Sequence, residues 1–473
     1  MDFLQAVRDE RKELASVLAD PNIGIRQIVV EQLYPDEAHF IYELLQNTED
    51  AGATEARIEL HEDQLKFRHN GRSFSEDDVR AITNIGTSKK TDDDEKIGNF
   101  GIGFKSVFAY TETPLVLSPT YSFEIVGLVL PEDATYPPEL NGDTQFEFPL
   151  NNPKKDPNSA YQEIQRGLDE LAETTLLYLS NLETISWHCG KGESGTILKV
   201  KHSEYHVEVL KEINGKTTES SHFLIFSAPV REVKNQNVAI AFELEFLPKI
   251  ETFDPQTPIA NQFRIVPAST GSVAIFFTAK KESSGLRFHL HAPFVPDLSR
   301  SSVKDTPKNN TLFEQLARLV CNSLPSIRDL NLLTRDFLAV LPNESDQVQR
   351  DYRLIQADVI EAFKSEPLTP VHGGEGHAPA SELLQARATL KNLLTQEDLA
   401  FFHERNKQWV VSATQRNNNA DRFLQQLNIE DWGLYEFVSE SSHSLWEKFY
   451  EREEDDPPIG VPQASQKWIS DKT

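Results

Sequence analysis

The chain has 473 residues, 38% hydrophobic and 26% charged, which suits a globular protein of roughly two to four domains with substantial cores. Its net charge of −27 argues against a nonspecific grip on DNA, RNA or an anionic membrane, because phosphate binding runs on clustered Lys and Arg. Two cysteines without a metal or disulfide pattern (Cys189, Cys321), no long apolar run in the opening MDFLQAVRDERKEL and no apolar stretch of membrane-spanning length together predict a cytoplasmic location.

Residues 1–20 are predicted to be a helix, with Phe3, Leu4, Val7, Leu14, Val17 and Leu18 as its apolar stripe. That stripe has either its own domain or a partner subunit to pack on, and Asp20-Pro21-Asn22 ends it. ELLQNTEDAGAT (43–54) predicts the next helix, started by Pro35, Asp36 and Glu37 and stopped by Gly52. Helical spacing puts Glu43, Asn47 and Asp50 on one stripe and Ile41, Leu44, Leu45 and Thr48 on the core side, so the helix is expected half-buried. A carboxylate can act as general base for water, and an amide oxygen suits a hard cation such as magnesium. An ordinary amphipathic helix with a solvated face accounts for the same pattern.

ARIEL (56–60) and LKFRH (65–69) alternate and predict an antiparallel hairpin, which HNGRSF (69–74) leaves. SEDDVRAITNIG (75–86) opens with a Ser cap and acids, so a short helix is predicted. TSKKTDDDEK (87–96) is polar and aperiodic, a loop whose length and position suit a lid, with Ser88, Lys89 and Lys90 at its start. In GNFGIGFKS (98–106), Gly98, Gly101 and Gly103 let the backbone approach a phosphate closely, and FKSVFAY (104–110) is predicted as a helix adding its positive end. The run is not a P-loop, since Phe104 stands where the lysine belongs and Lys105 comes one place late. Nor is it a dinucleotide fingerprint, which needs glycine where Ser106 sits.

Further along, the sequence predicts a strand at 122–130, a helix at 160–180 and a strand at 183–189. GESGTILKV (192–200) sets a Gly-Thr pair on a strand, where the Thr196 hydroxyl can bond a base edge or an ordered water. Strands are expected at 238–247, 272–279 and 286–294. SRSSVKDTPKNN (299–310) then supplies Arg300 and Lys304 ahead of a helix, LFEQLARLVCNSL. Beyond 326 the chain reads as mostly helical, at 350–364, 380–394 and 396–407, with a tail at 451–473. His372 and His377 lie in a Pro/Gly segment without accompanying Cys or acids, so no metal is expected there.

Taken together and in order, ELLQNTEDA, HNGRSF, IGTSKK, GNFGIGFKS and GESGTIL resemble the nucleotide-binding boxes of the GHKL ATPase superfamily. That superfamily includes gyrase, the ninety-kilodalton heat-shock chaperone, histidine kinases and MutL; the wording here is most similar to its sacsin-like branch. The resemblance implies an α+β chain with a Bergerat-type α/β sandwich ATPase domain at 1–215. A transducer-like α/β domain at 216–325, a mostly helical region at 326–450 and a linker or tail at 451–473 follow. It implies ATP and Mg2+ as ligands, Glu43 as the general base, Asn47 as the magnesium ligand and Asp50 as an acid near the nucleotide. Gly71, Ser88, Lys89, Gly98, Phe100, Gly101, Gly103, Phe104 and Thr196 would surround the nucleotide, and Arg300 or Lys304 would reach its γ-phosphate. One place departs from the family: His69 replaces the usual Asp two positions before Gly71, leaving His69 or Asn70 as a neutral acceptor for the base.

The expected function is an ATP-driven conformational switch with slow hydrolysis, dimerising on ATP and acting on a client or effector in a chaperone-like or defence role. A nucleotide-binding scaffold with negligible turnover is the alternative. A histidine kinase fits less well, because Glu43 is retained and no phospho-accepting helical hairpin precedes residue 30.

Overall fold

The computed structural model describes residues 3–19, 38–85, 103–190, 192–231, 236–297, 301–373, 376–394, 399, 407–411 and 418–439. The chain divides into two compact units. The first comprises Met1–Ala239, Val273–Glu282 and His291–Asn309; the second comprises Ile240–Ser272, Ser283–Leu290 and Asn310–Thr473.

In chain order the first unit contains α1 (Phe3–Ala19), α2 (Phe40–Asp50), β1 (Glu55–Leu60), β2 (Gln64–His69) and α3 (Glu76–Ile82). β3 (Leu115–Leu117), β4 (Ser122–Val126), β5 (Leu130–Asp133), β6 (Thr144–Pro149) and α4 (Pro157–Asp169) come next. β7 (Thr184–Cys189), β8 (Ser194–Lys201), β9 (His206–Ile213) and β10 (Lys216–Pro229) complete its main run. These strands belong to one large mixed sheet in the order β10-β9-β8-β7-β1-β2-β6-β3-β4-β5. β1 and β7 are parallel, and the other neighbours in that run are antiparallel.

Strand alternation decides which face is covered. Ile58 lies opposite Phe67 and beside Trp187, Phe67 opposite Phe146, and Leu65 opposite Phe148, so these side chains share one face. α2 meets that face through Phe40, whose ring centroid is 5.9 Å from that of Phe148. Gly195 serves the same face from β8: a Cβ there would stand 2.0 Å from the Trp187 ring, so the glycine of GESGT makes room for the indole.

α1 forms as predicted and packs within its own unit. Leu4, Val7 and Leu18 are buried while Val17 stays 42% exposed. Arg8 donates to the Pro131 carbonyl at 2.8 Å and pairs with Asp133 on β5, and Glu10 pairs with Arg80 on α3. α3 begins at the predicted serine, with a reciprocal capping box between Ser75 and Asp78.

Several expected elements differ. Residues 103–109 are a 3-10 helix rather than an α-helix, because Lys105 is drawn inward to the carbonyls of Ile82 and Leu128. The strand expected at 122–130 is split into β4 and β5 by Gly127 and Leu128, both in the left-handed region at φ 58° and 75°. The helix expected to reach 180 ends at Asp169, and a 3-10 turn at Glu173–Leu176 follows it.

In the second unit, residues 243–246 of the strand Asn237–Phe246 pair antiparallel with Phe263–Val266, and Phe246 stacks on Phe263 at 4.4 Å. Of the strands expected at 272–279 and 286–294, only Val273–Ala274 and His289–His291 are regular. The helix after residue 306 runs longer than expected, Pro307–Asp329, and another spans Arg353–Ser365. The segment 380–394 is not one helix: Leu383–Gln385 forms a strand between Gln408–Trp409 and Glu430–Asp431, all parallel. That small sheet sits on a cluster holding Leu384, Leu390, Trp409, Trp432 and Phe437. Most of the helix expected at 396–407, and the tail from 451, lie outside the described residues. Among the described residues no helix is long and apolar enough to cross a membrane.

Candidate functional site

The site starts from α2. It ends at Ala51, with Gly52 at φ 68° allowing the chain to reverse, as the sequence predicts. Its polar residues are not solvated as an ordinary amphipathic face would be. Glu43 and Asn47, one turn apart, are only 5% and 6% exposed, while Asp50 at the end of the helix is open to solvent. The helix is therefore buried on nearly every side rather than half-buried, since Ile41, Leu44, Leu45 and Thr48 are also enclosed.

A carboxylate is costly to bury, so its surroundings matter. The chain at Gly103 comes so close to Glu43 that a Cβ there would stand 2.0 Å from Oε2 and 2.8 Å from Oε1. Only glycine fits that approach. His39, one turn earlier, places Nε2 3.7 Å from Glu43 Oε1. The i, i+4 spacing of His39 and Glu43 was visible in the sequence but unused. Glu49, on the same helix, was missed altogether. Its carboxylate accepts from the backbone N–H groups of Ser180 at 2.7 Å, Asn181 at 2.9 Å and Leu182 at 2.8 Å, tying α2 to the entry of β7.

The HNGR segment is fastened to the end of α2. A Cβ on Gly71 would stand 2.8 Å from the Ala51 carbonyl, and the Arg72 N–H donates to that same oxygen at 2.9 Å. Asn70 Oδ1 accepts from the N–H groups of Thr54 and Glu55 at 2.9 and 3.1 Å, so this amide is engaged in holding the start of β1. His69 is buried and lies in line with Ala56 and Thr144 on the covered face of the sheet. Its Nδ1 accepts from the Gly71 N–H at 3.2 Å, and burial pushes its pKa down to about 4. A neutral ring whose Nδ1 accepts carries its proton on Nε2. Arg72 forms a two-point pair with Asp78; burial opposes the Asp78 charge, but Arg72 and Ser75 outweigh it and hold the carboxyl below its usual range.

Phe104 closes the covered face, 6.1 Å from Phe146 and 6.2 Å from Phe148 by ring centroids. Lys105 is turned into the protein. It is fully buried, donates to Ile82 O at 2.5 Å and Leu128 O at 2.6 Å, and burial pushes its pKa down to about 7. These bonds anchor the 3-10 segment that carries Gly103 against Glu43.

Thr196 is not brought to this group. It lies opposite Ser186, which in turn sits beside Arg57, whereas His69 lies in the row of Ala56, Ile185 and Ile197. Alternation therefore points Thr196 to the other face of the sheet. Lys304 belongs to the first unit, as Glu43 does; its backbone is held by Val295 and by the Asn309 amide, and its side chain is exposed. Ser88, Lys89, Gly98, Phe100, Gly101 and Arg300 lie outside the described residues.

Residues 23–154, which include α2, the hairpin, HNGR and Gly103, match the family model of the sacsin domain. The chain is 24% identical over 467 residues to Protein NO VEIN of Arabidopsis thaliana, covering 88% of this chain and 16% of that protein. It is 23% identical over 376 residues to Sacsin of Homo sapiens, covering 57% of this chain and 8% of that one. The chain thus spans a small fraction of the length of these relatives. The buried Glu43–Asn47 pair lies inside the segment that matches the sacsin domain.

Proposed function

We propose that α2, HNGR and the segment at Gly103 form a nucleotide site of the GHKL type that takes ATP with Mg2+ and hydrolyses it slowly. One observation carries the reading: Glu43 and Asn47 are buried a turn apart, and Gly103 approaches Glu43 with no room for a Cβ. The donor set fits the ligands. An amide oxygen at Asn47 suits a hard cation, and Glu43 suits the role of base for an attacking water. Magnesium, when bound, neutralises charge on the phosphate oxygens. Glu43 takes the proton of the water, Asn47 holds the ion, and the side-chain-free backbone at Gly103 keeps the approach to Glu43 narrow. Arg300 or Lys304 would supply a cation for the γ-phosphate. The hydrolysis serves a conformational switch in a chaperone-like or defence role.

A second reading, a nucleotide-binding scaffold with negligible turnover, draws on His69, which presents a donor where the family places an acidic acceptor. One substitution separates the two. Glu43→Ala should abolish phosphate release, since a positioned base contributes about 10²–10⁴ in rate, while ATP binding by isothermal titration persists. Turnover equal to that of the unmodified chain would remove Glu43 from catalysis. Binding without release in both proteins would leave the scaffold.

A further inference from the structure

Far along the same sheet from α2, three strands bring together a cluster that the nucleotide reading does not use. His202 follows β8, His206 and Glu208 lie on β9, and His222 lies on β10 directly opposite Glu208. His202 Nε2 is 2.7 Å from Glu208 Oε2, and His222 Nε2 is 3.7 Å from Glu208 Oε1. One ligand atom from each of the three lies within 4.8 Å of the others. Behind them, His206 Nε2 is 3.0 Å from His222 Nδ1.

We propose that His202, Glu208 and His222 form a site for a divalent transition-metal ion, with zinc the expected occupant and one coordination position left open to water. Two imidazoles and a carboxylate are a zinc donor set, and imidazole selects zinc over magnesium or calcium. Tetrahedral N and O ligands about 2.0–2.2 Å from an ion stand roughly 3.4 Å from one another, so the present spacings need only small side-chain rotations. The side chains of His202 and Glu208 are 17% and 16% exposed, which gives the ion a way in, while His222 is 4% exposed and fixes the inner side. The chain charge of −27 favours cation uptake.

The hydrogen bonds around the cluster agree with such a site. Ser220 Oγ donates to Glu208 Oε1 at 3.0 Å. His206 Nε2 can accept from Nδ1–H of His222, which leaves the His222 Nε2 lone pair facing the ion. His206 is thus a positioning residue. Because Glu208 is the acceptor, the proton on His202 Nε2 must leave that nitrogen as the ion binds, passing to Nδ1 or to solvent.

The test is a titration of the full chain with Zn2+, with Mg2+ as control, followed by zinc-edge X-ray absorption. One zinc per chain is expected, with N/O neighbours at about 2.0–2.1 Å and an imidazole signature. His202→Gln, Glu208→Gln and His222→Gln should each weaken zinc binding by at least tenfold, the lower bound for losing even an outer-shell partner. His206→Leu should weaken it by about tenfold, and His206→Gln, which keeps an acceptor, should recover part of the loss. Metal-free melting curves identify variants that fail to fold, and the absorption spectrum of the unmodified chain does not depend on them. No zinc bound, or zinc bound equally by folded variants of all three ligands, or a first shell without imidazole, would overturn the site. ATP binding measured on the same samples keeps this outcome separate from the fate of the nucleotide reading.

Discussion

At the scale of single residues, His69 stands where a GHKL-type site of the kind we propose would have an acid. Its Nδ1 is taken by the Gly71 N–H and its ring is neutral, so in the proposed site Nε2–H would be the group that meets a base. Asn70 does not replace the missing acid, because its oxygen already serves Thr54 and Glu55. A donor at this place suits a ring or carbonyl acceptor, which adenine and guanine both possess, and it cannot accept from the adenine amino group. The expected outcome is that ATP and GTP bind within about tenfold of one another, about 1.4 kcal/mol, since both bases offer an acceptor to this donor. His69→Asp should shift the balance toward ATP. Competition titrations measure both, and a strong ATP preference that survives His69→Ala would show that the base is read elsewhere. The sequence identified the position and its lost charge; the direction of the hydrogen bond depends on a backbone contact two residues away, which no local pattern encodes.

At the scale of elements, α2 was legible because its signals are local: a periodic apolar set, then a glycine at the stop. The hairpin and the Ser75 capping box were legible for the same reason. What escaped was set by partners distant in sequence. The 103–109 segment tightens into a 3-10 helix because Lys105 reaches carbonyls 23 residues away on either side. The orientation of Thr196 follows from strand register, as does the meeting of His222 with Glu208 across a hairpin turned at Asn214 and Gly215. The tie between α2 and β7 is of this kind too, and it can be weighed. Removing Glu49 leaves three clustered N–H donors at 180–182 without their acceptor. Glu49→Ala should therefore destabilise the unit by about 3 kcal/mol, on the order of 10 °C in a thermal scan, with Glu49→Gln intermediate. An unchanged melting temperature would mean that the turn finds other acceptors.

At the scale of the molecule, a coupling of nucleotide to self-association, which we propose, would rest on charge rather than on α1. That helix is engaged on β5 and α3 of its own unit, and Leu4, Val7 and Leu18 of its stripe are buried while Val17 is exposed. A ligand shifts an equilibrium only by its differential affinity for the two states, so ATP must act where ADP does not, and a cation on the γ-phosphate supplies that difference. Light scattering of the Glu43→Ala chain should show a mass increase with ATP and none with ADP, lost in Arg300→Ala or Lys304→Ala. A constant mass in all nucleotides would end the coupling and leave the site intact. The parallel pairing of β1 with β7 carries a different lesson. β7 enters at Thr184, whereas the family match stops at residue 154. A piece cut to the matched borders would strip β1 of its neighbour, baring a row of N–H and C=O groups along Ala56, Ile58 and Leu60, and would also discard the 180–182 turn that holds Glu49. Such a bare edge is a template for strand addition and fibre growth. The matched segment thus lacks the strand partner of β1 and the turn that holds Glu49.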